Sequence, residues 1–406
     1  MRVVIATAGL TARVGIHSYL DAILGEIVAL DHEVHVVAPV IGRPEAIERA
    51  GAFAHTSFED VPGRVDGVIA FLDFLALEAR AAFPGAALLC ISHGPWYAQD
   101  VPAADAAPCA AVALSDLSMQ RLRQSVMAER GVPIVRLTQP AELRAPSAPA
   151  PNLLPAVPRH AVVVAHRLTT RREPLLEALR GRGIDVSAVG GADHDDDVLN
   201  RLLAADIVIG IGRVIVEGMA AGRACLVFDE VGGADWLTPR NYAEFEATGF
   251  LHGPGAALAP EDLGALIDGY RPELGRAGRE LILRNHAPAV HAARLLELLH
   301  CAHAPAGPFD AVALREQASA LRHRYERRVS RTVGLWDAAA RERDSRISLG
   351  ELQSDHARLQ AELSKVRNQR DRARDELALA YRSRSWRLTA PLRRIAQIKR
   401  VRRARR

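Results

Sequence analysis

The stretch from Ala204 to Asp229, AADIVIGIGRVIVEGMAAGRACLVFD, leaves this chain few folds to choose from. Asp206–Ile209 is a short apolar run, and Gly210, Ile211 and Gly212 make a glycine-bearing turn. A short helix then surrounds Glu217, and Cys225–Phe228 is a second apolar run. Short apolar strands joined by glycines and a helix are the pattern of a parallel α/β sheet, whose strands are covered on both faces. Two features of the stretch ask for a ligand. Glycines at a helix N-terminus let a bound group come close to free amides, which favour anions. Glu217 puts a carboxylate into an apolar helix, where burying it without a partner is costly. A pair of ribose hydroxyls would satisfy it, as they satisfy the acid of dinucleotide-binding folds. A plain glycine turn beside a half-exposed glutamate fits the same residues.

The chain ahead of this stretch carries the same signature. Arg2–Ala6 is an apolar strand, Thr7–Gly15 a loop, Ile16 to about Leu30 a helix, and Glu33–Pro39 the next strand. That is the opening of a Rossmann-like domain, with Gly15 able to approach a substrate phosphate or sugar or simply to make a turn. Further strands are expected at Gly67–Phe71, Ala87–Ile91, Ala111–Leu114 and Ile134–Leu137. His93 follows the Ala87–Ile91 strand, at the end of the sheet where α/β folds bind ligands. It reads as a neutral imidazole that bonds a sugar hydroxyl, or as a capped structural histidine.

Arg144–Arg159 holds five prolines, a density that forbids helix and separates residues 1–143 from a second α/β domain over 160–302. That second domain opens on the run Ala161–Leu168, whose first residues are an apolar strand. Asp193–Asp197 has the carboxylates of a divalent-cation site, but it immediately precedes the helix Val198–Ala205, where acids serve as cap and dipole partners. No metal site is expected. The four cysteines lie far apart without ligand spacing, which favours reduced structural thiols and a cytoplasmic chain.

These residues resemble glycosyltransferase family 4, enzymes of the GT-B fold, whose donor-site signature is Glu-Gly-Phe-Gly followed by Leu-Glu-Ala-Met-Ala-x-Gly. Gly210, Ile211 and Gly212 fall on the Gly-Phe-Gly part and Val216–Gly222 on the rest, with Ile209 where the family has the glutamate that contacts the donor sugar. The resemblance spans roughly Met1–Leu299. It implies two Rossmann-like domains with the active site between them. It also implies metal-independent transfer of a sugar from a nucleotide-sugar co-substrate, with no other cofactor and with retained anomeric configuration. It assigns Glu217 to the nucleotide ribose and His93, within Ser92-His93-Gly94, to the donor sugar. The Gly210–Gly212 amides go to phosphate or sugar. Arg167 matches the arginine of the family's Gly-Arg-Leu, and Arg172 stands at its Lys-Gly lysine; both would hold the donor diphosphate. Fixed cations suit a leaving group on which negative charge develops, although Arg172 gives forked donors where lysine gives a point charge. A solvated basic loop is the competing reading. Asp235, Trp236 and Asn241, in the loop after Asp229, are further sugar contacts to expect. A catalytically silent scaffold for polysaccharide assembly and a nucleotide-sugar epimerase would share this fold.

Beyond Pro308 apolar density falls. Leu352, Leu359 and Val366 repeat at seven, with Leu363 and Leu377 on the companion seam position, so residues 308–381 read as a coiled-coil or solvated helical stalk that would join copies of the chain. Arg382–Arg406 then carries eleven Lys or Arg and no acid. Of the chain's 52 basic side chains, the other 381 residues therefore hold 41, against 48 acidic ones, so the folded body is mildly acidic and unsuited to nucleic acid. Trp386, Leu388, Leu392 and Ile395 among the tail's cations suit an anionic membrane face. The acceptor expected from this arrangement is a cell-surface glycan or a lipid-linked saccharide. No run approaches the length of a membrane span.

Overall fold

The computed structural model describes residues 1–10, 15–95, 98–142, 154–164, 172–189, 198–228, 232–256, 258–301 and 308–331, with a few helical positions between 358 and 370. The chain divides into two units, Met1–Trp336 and Asp337–Arg406. The first unit holds two α/β lobes, as the resemblance implies.

In the first lobe, seven strands form one parallel sheet: β1 (Arg2–Ala6), β2 (Glu33–Val37), β3 (Phe53–His55), β4 (Gly67–Ala70), β5 (Ala87–Ser92), β6 (Ala110–Ala113) and β7 (Ile134–Arg136). Their order is β3-β2-β1-β4-β5-β6-β7. Helices α1 (Gly15–Ala29), α2 (Pro44–Arg49), α3 (Asp73–Ala82), α4 (Asp116–Arg123) and α5 (Val126–Glu129) connect them. The central strands are runs of Val, Ile, Leu and Ala buried on both faces, which is what a doubly covered parallel sheet requires.

The second lobe is built the same way on fewer strands. Its sheet runs β13-β11-β10-β8-β9, from β8 (His160–Val164), β9 (Asp185–Val189), β10 (Ile207–Gly210) and β11 (Ala224–Val227), all parallel, with β13 (Asp235–Trp236) antiparallel on the edge. A small hairpin pairs β12 (Gly232–Gly233) with β14 (Gly253–Ala256). The helices are α6 (Arg172–Arg180), α7 (Val198–Ala204), α8 (Arg213–Ala220), α9 (Tyr242–Ala247), α10 (Leu263–Asp268), α11 (Glu273–Asn285) and α12 (Pro288–His300).

Strand order fixes where a ligand can sit. In the first sheet β1 leads to β2 on one side and borders β4 on the other; in the second, β8 leads to β9 and borders β10. Each pair is a topological switch point, outside whose carboxyl ends such sheets leave a crevice.

The sequence places α12 in the second domain, but its packing belongs to the first. Ala292, Leu295, Leu296 and Leu299 join the core formed by α1, β1 and β5, and Leu299 fills the space that Gly67 leaves open. The chain thus crosses between lobes twice, and the two crossings are bonded side by side. Thr138 Oγ1 donates to the Asn285 carbonyl at 2.9 Å, the Ala141 amide to the His286 carbonyl at 2.9 Å, and His286 Nδ1 to the Gln139 carbonyl at 2.6 Å.

A second correction concerns the stalk expected from residue 308. Residues 311–331 are one helix, α13, lying on the first lobe. Leu314, Ala318, Leu321 and Tyr325, spaced four, three and four apart, pack on the core around Phe74 and Leu75. Arg322 forks onto Glu78 at 2.6 and 2.5 Å and stacks over Phe74, while buried Arg80 lies 4.9 Å from the Phe309 ring centre. The stripe was hidden in the sequence by alternating charges on the outer face. The heptad positions Leu352, Leu359, Leu363, Val366 and Leu377, the tail 382–406 and the acidic run 193–197 lie outside the described residues, as does linker segment 143–153.

Candidate functional site

Three segments meet where the lobes face each other. Gly15 opens α1 after the β1 loop, His93 follows β5, and Arg213 is the first residue of α8 after β10. A β-carbon at Gly15 would lie 3.5 Å from His93 Nε2 and 3.8 Å from Arg213 Cβ. Gly15 therefore lies beside both His93 and the first residue of the helix that carries Glu217.

Arg213 is the residue that sequence reasoning missed. Its side chain is buried across the lobe boundary, where Nη2 donates to the Ser18 carbonyl at 2.7 Å and Nη1 to the Pro140 carbonyl. Its Nε donates to Glu217 Oε1 at 3.3 Å, one helical turn along α8. The signal for it was a cation at the head of an apolar helix, since an arginine is almost never buried without acceptors waiting for it.

Around Arg213 the buried histidines are held neutral. Burial, with the Arg213 charge behind it, pulls His93 down to about 4. Its ring packs edge-on to Tyr19 and Phe71, and its buried Nδ1 has no hydrogen-bond partner among the described residues. Burial likewise lowers His291 and His286 to about 4. His291 Nε2 lies 2.6 Å from the Tyr19 hydroxyl, and burial raises that phenol far above its ordinary range. His286 donates through Nδ1 to the Gln139 carbonyl, so its Nε2 accepts from the Tyr242 hydroxyl at 2.7 Å. A neutral imidazole at His93 offers one donor and one acceptor, the pattern a sugar hydroxyl meets.

The glycine turn is shaped partly by the lobe itself. A β-carbon at Gly210 would fall 2.8 Å from the Val164 carbonyl oxygen and 2.9 Å from Val214 Cγ1, so this strand end admits only glycine. The same contact sets the end of β8, from which the segment carrying Arg167 and Arg172 departs, beside the start of α8. Gly212 caps α8 at φ +63°, and its amide donates to the Phe250 carbonyl at 2.7 Å rather than pointing into the cleft. Ile211 stands between them, half-buried against the second-lobe core. Ile209 is fully buried in apolar surroundings, so no acidic group reaches the cleft from that position. Arg172 is half-buried in the first turn of α6, and Arg167 lies outside the described residues.

The Asp235–Asn241 loop has a different role from the sugar contacts expected of it. Trp236 is buried, donates from Nε1 to the Leu266 carbonyl at 2.6 Å and meets Tyr270 edge-on. Asn241 Oδ1 accepts from the Thr238 amide and hydroxyl, and its Nδ2 donates to Asp235 Oδ2 at 3.2 Å and the Trp236 carbonyl at 2.9 Å. These polar groups staple the edge strand. Among the described residues no group of His, Cys, Asp and Glu is arranged to hold a metal ion, and no helix is long and apolar enough to cross a membrane.

No family model and no curated protein matches the chain. Several of the solved structures it resembles are glycosyltransferases. One from Rickettsia africae ESF-5 is 13% identical, with 73% of this chain and 97% of that one aligned at a TM-score of 0.49. WaaG, a glycosyltransferase involved in lipopolysaccharide biosynthesis, is 15% identical over 74% of this chain and 100% of its own, at 0.47. CalG4, the calicheamicin glycosyltransferase, is 14% identical over 74% and 98%, at 0.42.

Proposed function

We propose that the chain transfers a sugar from a nucleotide-sugar to a glycan or lipid-linked acceptor, in the cleft between the two lobes. The observation that carries this reading is the convergence of Gly15, His93 and the Arg213–Glu217 helix across the lobe boundary. Glu217 takes the ribose hydroxyls, for which it exchanges the long bond from Arg213 while Arg213 keeps its two carbonyls. Arg167 and Arg172 hold the diphosphate and stabilise the charge that grows on it as the glycosidic bond breaks. His93, neutral at working pH, bonds a hydroxyl of the donor sugar. With no side chain among the described residues placed as a general base, the departing phosphate takes the acceptor's proton, on the face that keeps the anomeric configuration. The chemistry needs no metal, since guanidinium groups supply the counter-charge. The basic tail rests on the anionic inner face of a membrane, where an acceptor on a lipid is presented, and the heptad segment joins copies of the chain.

One set of observations favours a silent scaffold of the same fold: Ile209 is sealed in the core, Glu217 already has a cationic partner, and the Gly212 amide is taken. Calorimetric titration of the full chain with UDP-, GDP- and dTDP-sugars separates the two. Micromolar binding that Glu217→Gln weakens about tenfold, with slow donor hydrolysis, supports the transferase. No heat with any donor supports the scaffold, and a new sugar epimer formed without acceptor would instead identify an epimerase.

A further inference from the structure

A histidine that is to meet a substrate hydroxyl must present one nitrogen in one direction. In His93 no bond at Nδ1 fixes that direction among the described residues, and Nε2 faces the Gly15 turn. The ring is held by packing instead. Tyr19, on α1, lies 5.9 Å from the imidazole centre at an interplanar angle of 82°, and Phe71, after β4, lies 6.3 Å away at 65°. Both rings are buried, and in a close-packed interior such edge contacts leave an imidazole little room to turn.

Of the two rings, Tyr19 is the one with an anchor. Phe71 has no polar side-chain atom, whereas the Tyr19 hydroxyl lies 2.6 Å from His291 Nε2 on α12. The Thr138 carbonyl favours a proton on the other nitrogen of His291, so Nε2 accepts and the phenol donates. A hydroxyl sealed from solvent is costly unless bonded, and His291 is the reason a tyrosine can stand there. The same stretch of α1 touches the site twice more. Gly15 lies beside His93, and the Ser18 carbonyl takes Arg213 Nη2 at 2.7 Å. Contacts thus run from the crossing at Thr138 through His291 and Tyr19 to the imidazole.

We propose that Tyr19 is the positioning residue of His93. Its ring sets the direction of the imidazole, and its bond to His291 fixes the ring. Through that bond α12, packed on the first lobe, takes part in building the donor-sugar end of the cleft. Tyr19 itself has no exposed surface and meets no substrate. The proposal rests on the transferase reading only for the donor sugar; the orientation of His93 is a property of the protein alone.

The test uses the full chain with isotope-labelled histidine, followed by NMR between about pH 5.5 and 8. The His93 and His286 imidazole signals are assigned by their loss in His93→Gln and His286→Gln. In the parent both stay neutral over this range, since both have values near 4. Tyr19→Leu uncovers His93, which should then titrate toward its ordinary value of 6.5, while His286, bonded to Tyr242 and Gln139, stays flat. A generally loosened core would move both. Tyr19→Phe keeps the ring and unties it, so His93 should stay neutral but its signal should shift; this variant decides if Tyr19→Leu does not fold. A His93 signal unmoved in Tyr19→Phe overturns the proposal. So does a His93 that stays flat in Tyr19→Leu or titrates there together with His286. Calorimetry with UDP-, GDP- and dTDP-glucose, and with the three nucleoside diphosphates alone, separates the two readings. Tyr19→Leu binding the sugar nucleotide about tenfold more weakly and the bare diphosphate unchanged supports both. Donor binding with an unmoved His93 removes the positioning role and leaves the transferase; a shifted His93 without donor binding keeps the positioning role and removes the transferase.

Discussion

Replacing Arg213 tests the interlobe geometry most directly. Arg213→Met keeps much of the aliphatic volume but removes every donor. It leaves the Ser18 and Pro140 carbonyls without their guanidinium and Glu217, with 12% of its side chain exposed, without its ion partner. Breaking a buried pair by removing one member costs about 3–5 kcal/mol, because the partner is left buried and unpaired. For a folded unit of this size that corresponds to a fall of roughly 5–15 °C in melting temperature. Glu217→Gln loses only the 3.3 Å bond and its charge, so about 1 kcal/mol is expected from it. The double-mutant cycle should then return a coupling of about 1–2 kcal/mol. Differential scanning calorimetry of the two single variants and the double variant supplies all the quantities. An Arg213→Met protein that melts within about 1 °C of the parent would refute the bridging role. A coupling near zero would show that Glu217 is held by something other than Arg213.

Three further outcomes are expected of the same fold. His93, His286 and His291 all have folded values near 4, so each is protonated more readily in the unfolded chain and stability is lost as pH falls from about 6.5 toward 4. Burial raises Asp73 to about 6, which works in the opposite direction over the same window. The net of about two protons predicts a loss of about 3 kcal/mol per pH unit, measurable by urea denaturation, and stability that is flat or rising there would contradict it. Gly210→Ala drives a methyl into the Val164 carbonyl and should cost about 1–3 kcal/mol by the same assay; a neutral result would mean the strand end is open. Arg322→Ala removes the fork to Glu78 and the cover over Phe74. Trypsin should then cut within 311–331 several times faster while the two lobes stay resistant, and unchanged proteolysis would mean the aliphatic stripe alone secures α13.

The residues that read clearly in the sequence were those whose structural reason is local. β1 after Arg2, β4, β5, β10 and β11 are largely apolar runs, and burial on both faces is what makes them so. The edge strands β3 and β9 gave no such signal, because only one neighbour covers each and their residues are half-exposed. Trp236 and Asn241 looked like ligand contacts because polar and aromatic residues in a loop commonly are; Trp236 instead meets Leu266 and Tyr270, tertiary neighbours that spacing does not reveal, and Asn241 turns back on Thr238 within its own loop. Arg213 failed for the same reason. Its acceptors are backbone carbonyls of Ser18 and Pro140, and any residue type supplies a carbonyl.

The paired crossings at Thr138–Ala141 and Asn285–His286 govern how the lobes can move. A body tethered at one point tumbles freely, whereas one tethered by two adjacent, mutually bonded strands swings like a door about the line through them. A swing along that arc would widen or narrow the gap between Gly15 and α8, and would have to break the bond from Arg213 to the Ser18 carbonyl. Residues at the pivot therefore set how far the gap opens, without touching whatever enters it.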